Sequence, residues 1–262
     1  MFNATYFTYD GVFSGTYGLI IADFDDNAVV ETAAFSPVLN TTKTRSANKF
    51  LHNGITYEEL PQHQFSIISE CEIPTFTRRE ILAWLTGRNE FKKLTIHQID
   101  LEDYYYNCVF TDISIIYVNG HCHGFRVTAN FDSPFAYGQP TVIEISEAGT
   151  YTRSIVNKSD VVNGYVYPLV EFTGGYIDIV NTTDNDQRHF TFEGLSPTEV
   201  VTVDNEMKHI SSKIGSSPIA GEKLSNFTSK KWLRLRPGEN TLTIVAAGAV
   251  KIICPQYAMI GY

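Results

Sequence analysis

The sequence predicts a mostly β protein of two domains, and three observations support this prediction. At 262 residues the chain is long for one hydrophobic core but suits two domains of medium size. Aromatic residues make up 13% of the chain, and together with β-branched residues they favour sheets over helices. Short alternating apolar and polar runs, separated by turn residues, occupy most of the sequence, as in antiparallel sheets.

The first half is predicted to form a β-sandwich-like domain with a long hairpin. Its clearest turn is Asn119-Gly120, which lies between the β-rich runs 113–118 and 121–130. Both residues tolerate the positive φ angles of a type I′ turn, so this dipeptide strongly indicates a hairpin. Asn53-Gly54 is a weaker example of the same signal. Together the two dipeptides indicate an antiparallel meander.

One short helix is predicted to interrupt these strands. Thr77 and Glu80 have the spacing of a capping box, in which both side chains satisfy free backbone N–H groups at a helix start. Gly87 is placed to end the helix. The helix is expected to cover one face or edge of the first sheet with its apolar residues Ile81, Leu82, Trp84 and Leu85.

The two domains are predicted to meet near Pro134, as residues 1–133 and 134–262. Pro134 disfavours helix at Ser133, and residues 135–140 are rich in turn formers. Many short strands without a helix follow, which argues for a β-sandwich of the jelly-roll type. The predicted strands are 141–146, 150–156, 167–173, 176–181, 189–193, 199–204, 232–236, 241–246 and 250–254, and 208–217 is predicted as a loop.

Composition and charge exclude several classes of function. The net charge of -9 leaves no broad basic surface, so nucleic-acid binding is not expected. No apolar run is long enough to span a bilayer, so membrane insertion is not expected. No secretory signal is visible after Met1, so we expect synthesis in a cytoplasm. The cysteines show no CxxC spacing and are predicted to be small buried hydrophobes: Cys71, Cys108, Cys122 and Cys254.

One cluster has metal-ligand chemistry. His121 and His123 would lie on the same face of a strand, because side chains alternate along it. A third ligand is not identifiable and the spacing matches no structural zinc pattern, so no metal site is predicted. Asp184-Asn185-Asp186 has calcium-like oxygens but lacks the glycine and the distal glutamate of an EF-hand loop. A tight polar turn is the preferred interpretation there.

Carboxylates suggest a second chemistry, that of a wall-degrading glycosidase. Such an enzyme needs two carboxyl groups about 5–9 Å apart across a sugar site. Adjacent acids usually point apart into solvent, and the chain contains no GxSxG, HExxH, Walker A or GxGxxG motif. No enzyme activity and no cofactor are therefore predicted, although the candidate acids are Glu58, Glu59, Asp100, Glu102 and Asp103.

Tyrosines of the first half are the candidate interface residues. Tyrosine is enriched at protein interfaces because its ring packs while its hydroxyl still finds a partner. Three consecutive tyrosines place aromatic rings on both faces of a strand. A core position is as consistent with the pattern as an interface position, so both interpretations stay open for the candidates Tyr9, Tyr17, Tyr104, Tyr105 and Tyr106.

Phrases along nearly the whole chain resemble those of one known protein family. In the first half they are residues 7–12, 17–21, 77–85, 93–94, 105–106, 108–110, 125–127 and 132–135, and they are similar to the distal tail protein family of siphophages, a phage tail-component family. In the second half, residues 167–168, 176–183, 200–204 and 232–240 are similar to the family's galectin-like domain. The phrases occur in the family's order, which makes their combination more specific than any one of them.

The resemblance implies a structural role without catalysis. It implies a homohexameric ring at the tail tip, formed by residues 1–133, with galectin-like jelly-roll domains of residues 134–262 projecting outward. The ring would join the tail-tube protein to the tail-associated lysin or baseplate hub. In some relatives the outer domain holds receptor-binding proteins for host adsorption. The protein is accordingly expected in the virion, after synthesis in the host bacterial cytoplasm.

The alternative function is a carbohydrate-binding adhesin module that recognises host cell-wall polymer. A glycan-binding jelly roll is expected to present two or three exposed aromatic residues on one sheet face. The candidates in the second half are Tyr165, Tyr167, Tyr176 and Trp232, although Trp232 is equally suited to the core.

Overall fold

The computed structural model describes residues 5–22, 38–43, 45, 48–56, 61–99, 101–161, 164–219 and 223–259. Among the described residues, strands make up 56% and helices 8%, with one α-helix. The mostly β fold class is thereby confirmed. The described residues form two compact units, one of residues 5–136 with Met259 and one of residues 137–258. Neither unit has, in its described part, a helix long and apolar enough to cross a membrane.

The first unit contains a seven-stranded antiparallel sheet and a separate two-stranded one. Its elements are β1 (Phe7–Tyr9), β2 (Val12–Phe13), β3 (Leu19–Ile21), β4 (Val38–Thr42), β5 (Leu51–Thr56), β6 (Gln62–Ser69), α1 (Thr75–Thr86), β7 (Lys92–Ile96), β8 (Tyr106–Val118) and β9 (His121–Phe131). The larger sheet has the order β2-β1-β7-β8-β9-β6-β3, and β4 pairs only with β5. A bridge between Thr5 and Ile21 brings the two ends of the larger sheet together, so the sheet curls around its core.

The long hairpin of the first unit is confirmed, and the second predicted hairpin is wrong. Asn119 and Gly120 connect β8 to β9 with φ angles of 50° and 84°, as a type I′ turn requires. Asn53 and Gly54 lie inside β5 instead, where they oppose the single residue Asn40 of β4. This is a β-bulge, which also uses the positive φ that glycine tolerates. Gly54 has a φ of 105°, but Asn53 has no positive φ, so the dipeptide indicated the glycine conformation and not the predicted turn.

Helix α1 is confirmed, but the predicted capping box does not form. The helix begins directly after Pro74, so Thr77 and Glu80 lie within it rather than at its cap. Gly87 follows the helix and donates its N–H to the carbonyl of Ala83 at 3.0 Å, as predicted for the end. A Cβ at position 87 would lie 2.4 Å from that oxygen, which explains why a residue without a Cβ occupies this position. The helix covers one face of the sheet with its buried residues Ile81, Trp84 and Leu85.

The second unit is a sandwich of two antiparallel sheets. Its strands are β10 (Ala136–Ile145), β11 (Gly149–Asn157), β12 (Leu169–Thr173), β13 (Tyr176–Asn181), β14 (His189–Glu193), β15 (Glu199–Asp204), β16 (His209–Ile214), β17 (Ser217–Pro218), β18 (Gly238–Ala246) and β19 (Val250–Ala258). One sheet has the order β10-β19-β12-β15-β16-β17 and the other β11-β18-β13-β14. Phe172 of the first sheet lies 5.3 Å from Phe192 of the second, ring to ring, so the sheets share one core.

Three sequence predictions about the second half are wrong. Residues 135–140 continue into β10 instead of forming a turn-rich linker. Residues 208–217 contain β16 instead of a loop. The strand was missed because one of its buried positions holds the polar residue Ser212, which interrupts the alternation of apolar and polar residues in the sequence. Residues 232–236 form no strand, because side chains satisfy their backbone: the amide oxygens of Asn205 and Asn240 accept the N–H groups of Leu233 and Arg236, each at 2.9 Å.

The cysteines agree with their predicted role at three positions of four. Cys108, Cys122 and Cys254 are buried as predicted, and burial raises the pKa of the Cys254 thiol to about 12. Cys71 is exposed, so its predicted burial is wrong. It lies in the segment between β6 and α1, outside the regular alternation of a strand.

Candidate interaction surfaces

Two of the predicted interface tyrosines lie in the core of the first unit. Tyr9 in β1 is 0% exposed, and Tyr106 at the start of β8 is 2% exposed. The Tyr9 hydroxyl donates to the carbonyl of Cys108 at 3.4 Å, and the indole N–H of Trp84 donates to the Tyr9 carbonyl at 3.0 Å. Burial raises the pKa of both tyrosines. Fully covered rings have no area left for a neighbouring subunit, so we remove both from the candidate interface.

The other three candidates keep part of their surface. The ring of Tyr17 lies 5.6 Å from that of Trp84 and covers the aromatic core from outside. Tyr104 and Tyr105 precede β8 and are partly exposed. The ammonium group of Lys93 lies 4.3 Å from the centre of the Tyr105 ring, and burial raises the pKa of Tyr105. Their contact with another subunit stays a prediction.

A more exposed apolar surface is the two-stranded sheet β4–β5 together with the described residues between its strands, which we call the arm. Four of its large apolar side chains are 41–63% exposed: Val38, Leu39, Phe50 and Leu51. The arm region, residues 38–56, contains three lysine or arginine residues and no aspartate or glutamate. Sequence reasoning missed this surface, although a basic, acid-free stretch with apolar residues in an acidic chain was a usable signal.

A groove lies on the same unit, where β3 and the end of β6 approach the start of α1. Its cavity is about 310 Å³. Apolar and acidic side chains line it together, among them Tyr6, Tyr17, Ile20, Glu70, Cys71 and Glu72. No lysine or arginine is among the described residues that line it.

The predicted histidine cluster does not form a metal centre in the described part of the chain. His121 lies at the groove side of the hairpin, where its Nδ1 is 2.9 Å from a carboxylate oxygen of Glu72. The Nδ1 of His123 is 3.4 Å from the carbonyl oxygen of Ser69. Among the described residues, no group of three histidine, cysteine or acidic side chains is placed to hold a metal.

The candidate catalytic acids are not brought together in the described structure. Glu102 and Asp103 are adjacent, exposed residues of a turn before β8. Glu58, Glu59 and Asp100 lie outside the described residues. The two described candidates, Glu102 and Asp103, thus do not face each other across a cleft.

A charged network supports the predicted polar turn of the second unit. Asp184 accepts hydrogen bonds from Nε and Nη2 of Arg234, at 2.7 and 3.1 Å, while Asp186 accepts from the same guanidinium at 2.8 Å. The bonds from Arg234 hold the pKa of Asp184 below its ordinary value, although its burial opposes that shift. The polar turn is confirmed, and its carboxylates bind arginine.

A small cavity beside this network exposes one of the four candidate glycan-binding aromatics. Tyr165 lies 3.8 Å above the Arg234 guanidinium and lines a cavity of about 340 Å³ together with Asn185 and Arg236. Trp232 packs instead on Phe227, with a ring separation of 5.0 Å. Among the four candidates, Tyr165 alone is exposed, while Tyr167, Tyr176 and Trp232 are partly buried.

Comparison with known families assigns both halves of the chain. Residues 2–133 match the family described as a phage tail protein N-terminal domain, and residues 135–254 match its companion, a phage tail C-terminal domain. The chain belongs to this family of phage tail proteins. Membership makes the protein a component of the phage tail. Among curated proteins, none matches the chain in sequence.

Solved structures show the same fold over almost the entire tail protein. One is the crystal structure of the SPP1 Dit protein, which is described as a paradigm of the hub adsorption apparatus in phages that infect Gram-positive bacteria. It is similar to this chain with a TM-score of 0.63 and 14% sequence identity, and the alignment covers 97% of this chain and 99% of Dit. A chain of the phage P2 baseplate in its activated conformation with Ca has a TM-score of 0.59 and 8% identity, covering 98% and 99%. The same baseplate with Sr gives 0.58 and 8%, covering 98% and 100%. At these identities the similarity is one of fold, and it confirms the resemblance to distal tail proteins.

Proposed function

We propose that the protein forms a homohexameric ring at the tip of the phage tail. The ring joins the tail-tube protein to the baseplate hub or tail-associated lysin. The observation that carries this proposal is the fold similarity to Dit along 97% of the chain, together with the family match of both halves. A hub position needs contacts to like subunits and to different proteins, and a chain of two units offers separate surfaces for them.

The two units take different roles in this proposal. Residues 1–133 form the ring, and residues 134–262 project from it as a galectin-like domain that anchors host-adsorption proteins. The exposed apolar arm on the first unit supports this division, since such patches commonly mark interaction sites. In the second unit, the surface strands present mainly polar residues, which suits a domain that stays at the outside of an assembly.

The protein acts without catalysis or cofactor in this proposal. His121 contacts Glu72, His123 contacts a backbone carbonyl, and Glu102 and Asp103 lie exposed in one turn. Wall preparations of the host should therefore stay intact when they are incubated with the purified protein. Release of soluble sugars that follows the protein through purification would contradict this part of the proposal.

Electron microscopy of the full chain mixed with the tail-tube protein of the same phage tests the ring. We expect six-fold rings of the chain at one end of assembled tubes. The matched control is the tail-tube protein alone, whose tubes should end without this extra density. Tubes that bind the chain along their sides, or rings of another symmetry, would contradict the proposal.

A carbohydrate-binding role of the second unit is the alternative, and the cavity beside Tyr165 is the observation that favours it. An exposed aromatic ring with Asn185 and Arg236 nearby offers stacking and hydrogen bonds to a sugar. Tyr165→Ala should then abolish retention of the chain on purified host wall polymer. Tyr151→Ala is the matched control, because Tyr151 also packs against an arginine, at 5.3 Å, away from that cavity. Retention that is unaffected by Tyr165→Ala would exclude this site.

A further inference from the structure

The apolar side chains on the arm of the first unit are so exposed that we expect a binding partner to cover them. Isolated two-stranded hairpins are at best marginally stable in water. The arm pairs with no strand of the seven-stranded sheet among the described residues. Leu39, Phe50 and Leu51 are each at least 60% exposed. Covering these side chains would stabilise the arm, so its binding partner should carry apolar surface.

The charge of the arm defines that partner further. Lys43, Arg45 and Lys49 lie between or beside its strands, and residues 38–56 contain no acidic residue. The ammonium group of Lys43 lies 5.4 Å from the centre of the Phe50 ring, so charge and apolar surface are adjacent. A complementary surface therefore combines carboxylates with apolar side chains.

The groove on the same unit has this combination. Glu70 and Glu72 supply the negative charge, and Tyr6, Ile20 and Ile73 supply apolar surface. Its cavity of about 310 Å³ has room for one or two large side chains. The described apolar side chains of the arm do not fill it, because they are exposed. As far as the described residues show, each copy thus carries an unfilled groove and an uncovered arm of opposite charge.

We propose that the arm of one copy docks into the groove of the next copy. Arm and groove are different surfaces of the same chain, so this contact is heterologous, and heterologous contacts close into rings when the rotation between copies allows it. The inference rests on the proposed ring and names the contact that holds it. Opposite charge steers the arm to its groove, and burial of Leu39, Phe50 and Leu51 stabilises the contact.

A natural cysteine in the groove permits a direct test in the full chain. Cys71 lines the groove and is exposed, while the other three cysteines are buried. Leu51→Cys places a second exposed thiol on the arm. Mild oxidation should then link arm to groove between copies, giving a ladder of disulfide-linked species up to six chains on a non-reducing gel. Leu39→Cys is a second arm variant, in case one of the two variants does not fold.

Two controls separate the proposed contact from random oxidation. Adding Cys71→Ser to Leu51→Cys should reduce the ladder to dimers or monomers, because the acceptor thiol in the groove is then missing. Met207→Cys, at a side chain that is 76% exposed in the second unit, should give no ladder with Cys71. A ladder that survives Cys71→Ser, or one that Met207→Cys reproduces, would overturn the proposal.

Light scattering on the unoxidised variants distinguishes failure of this contact from failure of the ring. A hexamer in which neither arm cysteine links to Cys71 overturns the docking proposal and leaves the ring standing. A chain that stays monomeric and forms no cross-links overturns both. A disulfide within one chain, visible as a shifted monomer band, would show that each arm reaches its own groove and would contradict docking between copies.

Discussion

Replacing Asp184 by Asn is predicted to destabilise the second unit far more than replacing Asp186 by Asn. Both carboxylates accept hydrogen bonds from Arg234, at distances between 2.7 and 3.1 Å. They differ in exposure: the side chain of Asp184 is 2% exposed and that of Asp186 is 53% exposed. The comparison therefore varies burial while the partner stays the same.

The expected magnitudes follow from that difference in burial. Removing one partner of a buried ion pair costs about 3–5 kcal/mol, because the other charge is left without compensation. Asp186 still holds Arg234 in the Asp184→Asn variant, so we expect a loss near the lower limit, about 3 kcal/mol. An exposed ion pair is worth about 0–1 kcal/mol, which sets the expectation for Asp186→Asn.

Urea unfolding followed by tryptophan fluorescence measures both losses. The chain contains two tryptophans, Trp84 in the first unit and Trp232 in the second, so a Trp84→Phe background leaves Trp232 as the reporter of the second unit. The free energies of unfolding of Asp184→Asn and Asp186→Asn are compared in that background. Losses of equal size, or a larger loss for Asp186→Asn, would refute the argument from burial.

Three further predictions concern packing, pH and the absence of catalysis. Gly124→Ala should destabilise the first unit by about 1–3 kcal/mol, measured by thermal unfolding, because its Cβ would lie 2.3 Å from the carbonyl oxygen of Ile67; an unchanged melting temperature would contradict this. Burial tends to raise the pKa of Glu199, but the ammonium group of Lys223, 2.9 Å from the carboxylate, opposes this and the pKa is lowered on folding. The carboxylate therefore contributes stability at pH values above its ordinary pKa, and this stability is lost as the pH falls through the pKa of the folded state. Glu199→Gln should make the free energy of unfolding in urea less sensitive to acid. An unaltered pH profile would contradict the stabilising role of this carboxylate. His123→Ala should leave phage assembly and host adsorption near normal in a complementation assay, and loss of a wall-degrading activity in this variant would contradict a purely structural role.

Local signals in the sequence predicted the regular parts of the fold well. The strands Tyr176–Asn181, His189–Glu193 and Glu199–Asp204 have the predicted bounds, because in each of them buried residues alternate with less buried ones. One prediction failed where side chains decide the backbone geometry. Residues 232–236 have a strand-like pattern, but the side chains of Asn205 and Asn240 bind their backbone instead. No local pattern reveals the contact with Asn205, which lies 28 positions from Leu233.

The candidate interface was less predictable than the fold. Aromatic composition cannot distinguish a core tyrosine from a surface one, so Tyr9 and Tyr106 were proposed together with Tyr17. The groove was also not predicted from the sequence, because the curled sheet brings together residues from β3, β6 and α1 that are up to about 60 positions apart. The arm would have been easier to predict as an interaction surface, since its basic and apolar residues are contiguous in the chain.

The mass of the two halves in solution tests the central claim, a ring built by the first unit, most directly. Light scattering on fragments 1–133 and 134–262 measures it, after circular dichroism has shown a β-type spectrum for each. We predict that fragment 1–133 has six times the mass of its own chain and that fragment 134–262 is monomeric. A monomeric fragment 1–133 beside an oligomeric fragment 134–262 would contradict the assignment of the ring to the first unit.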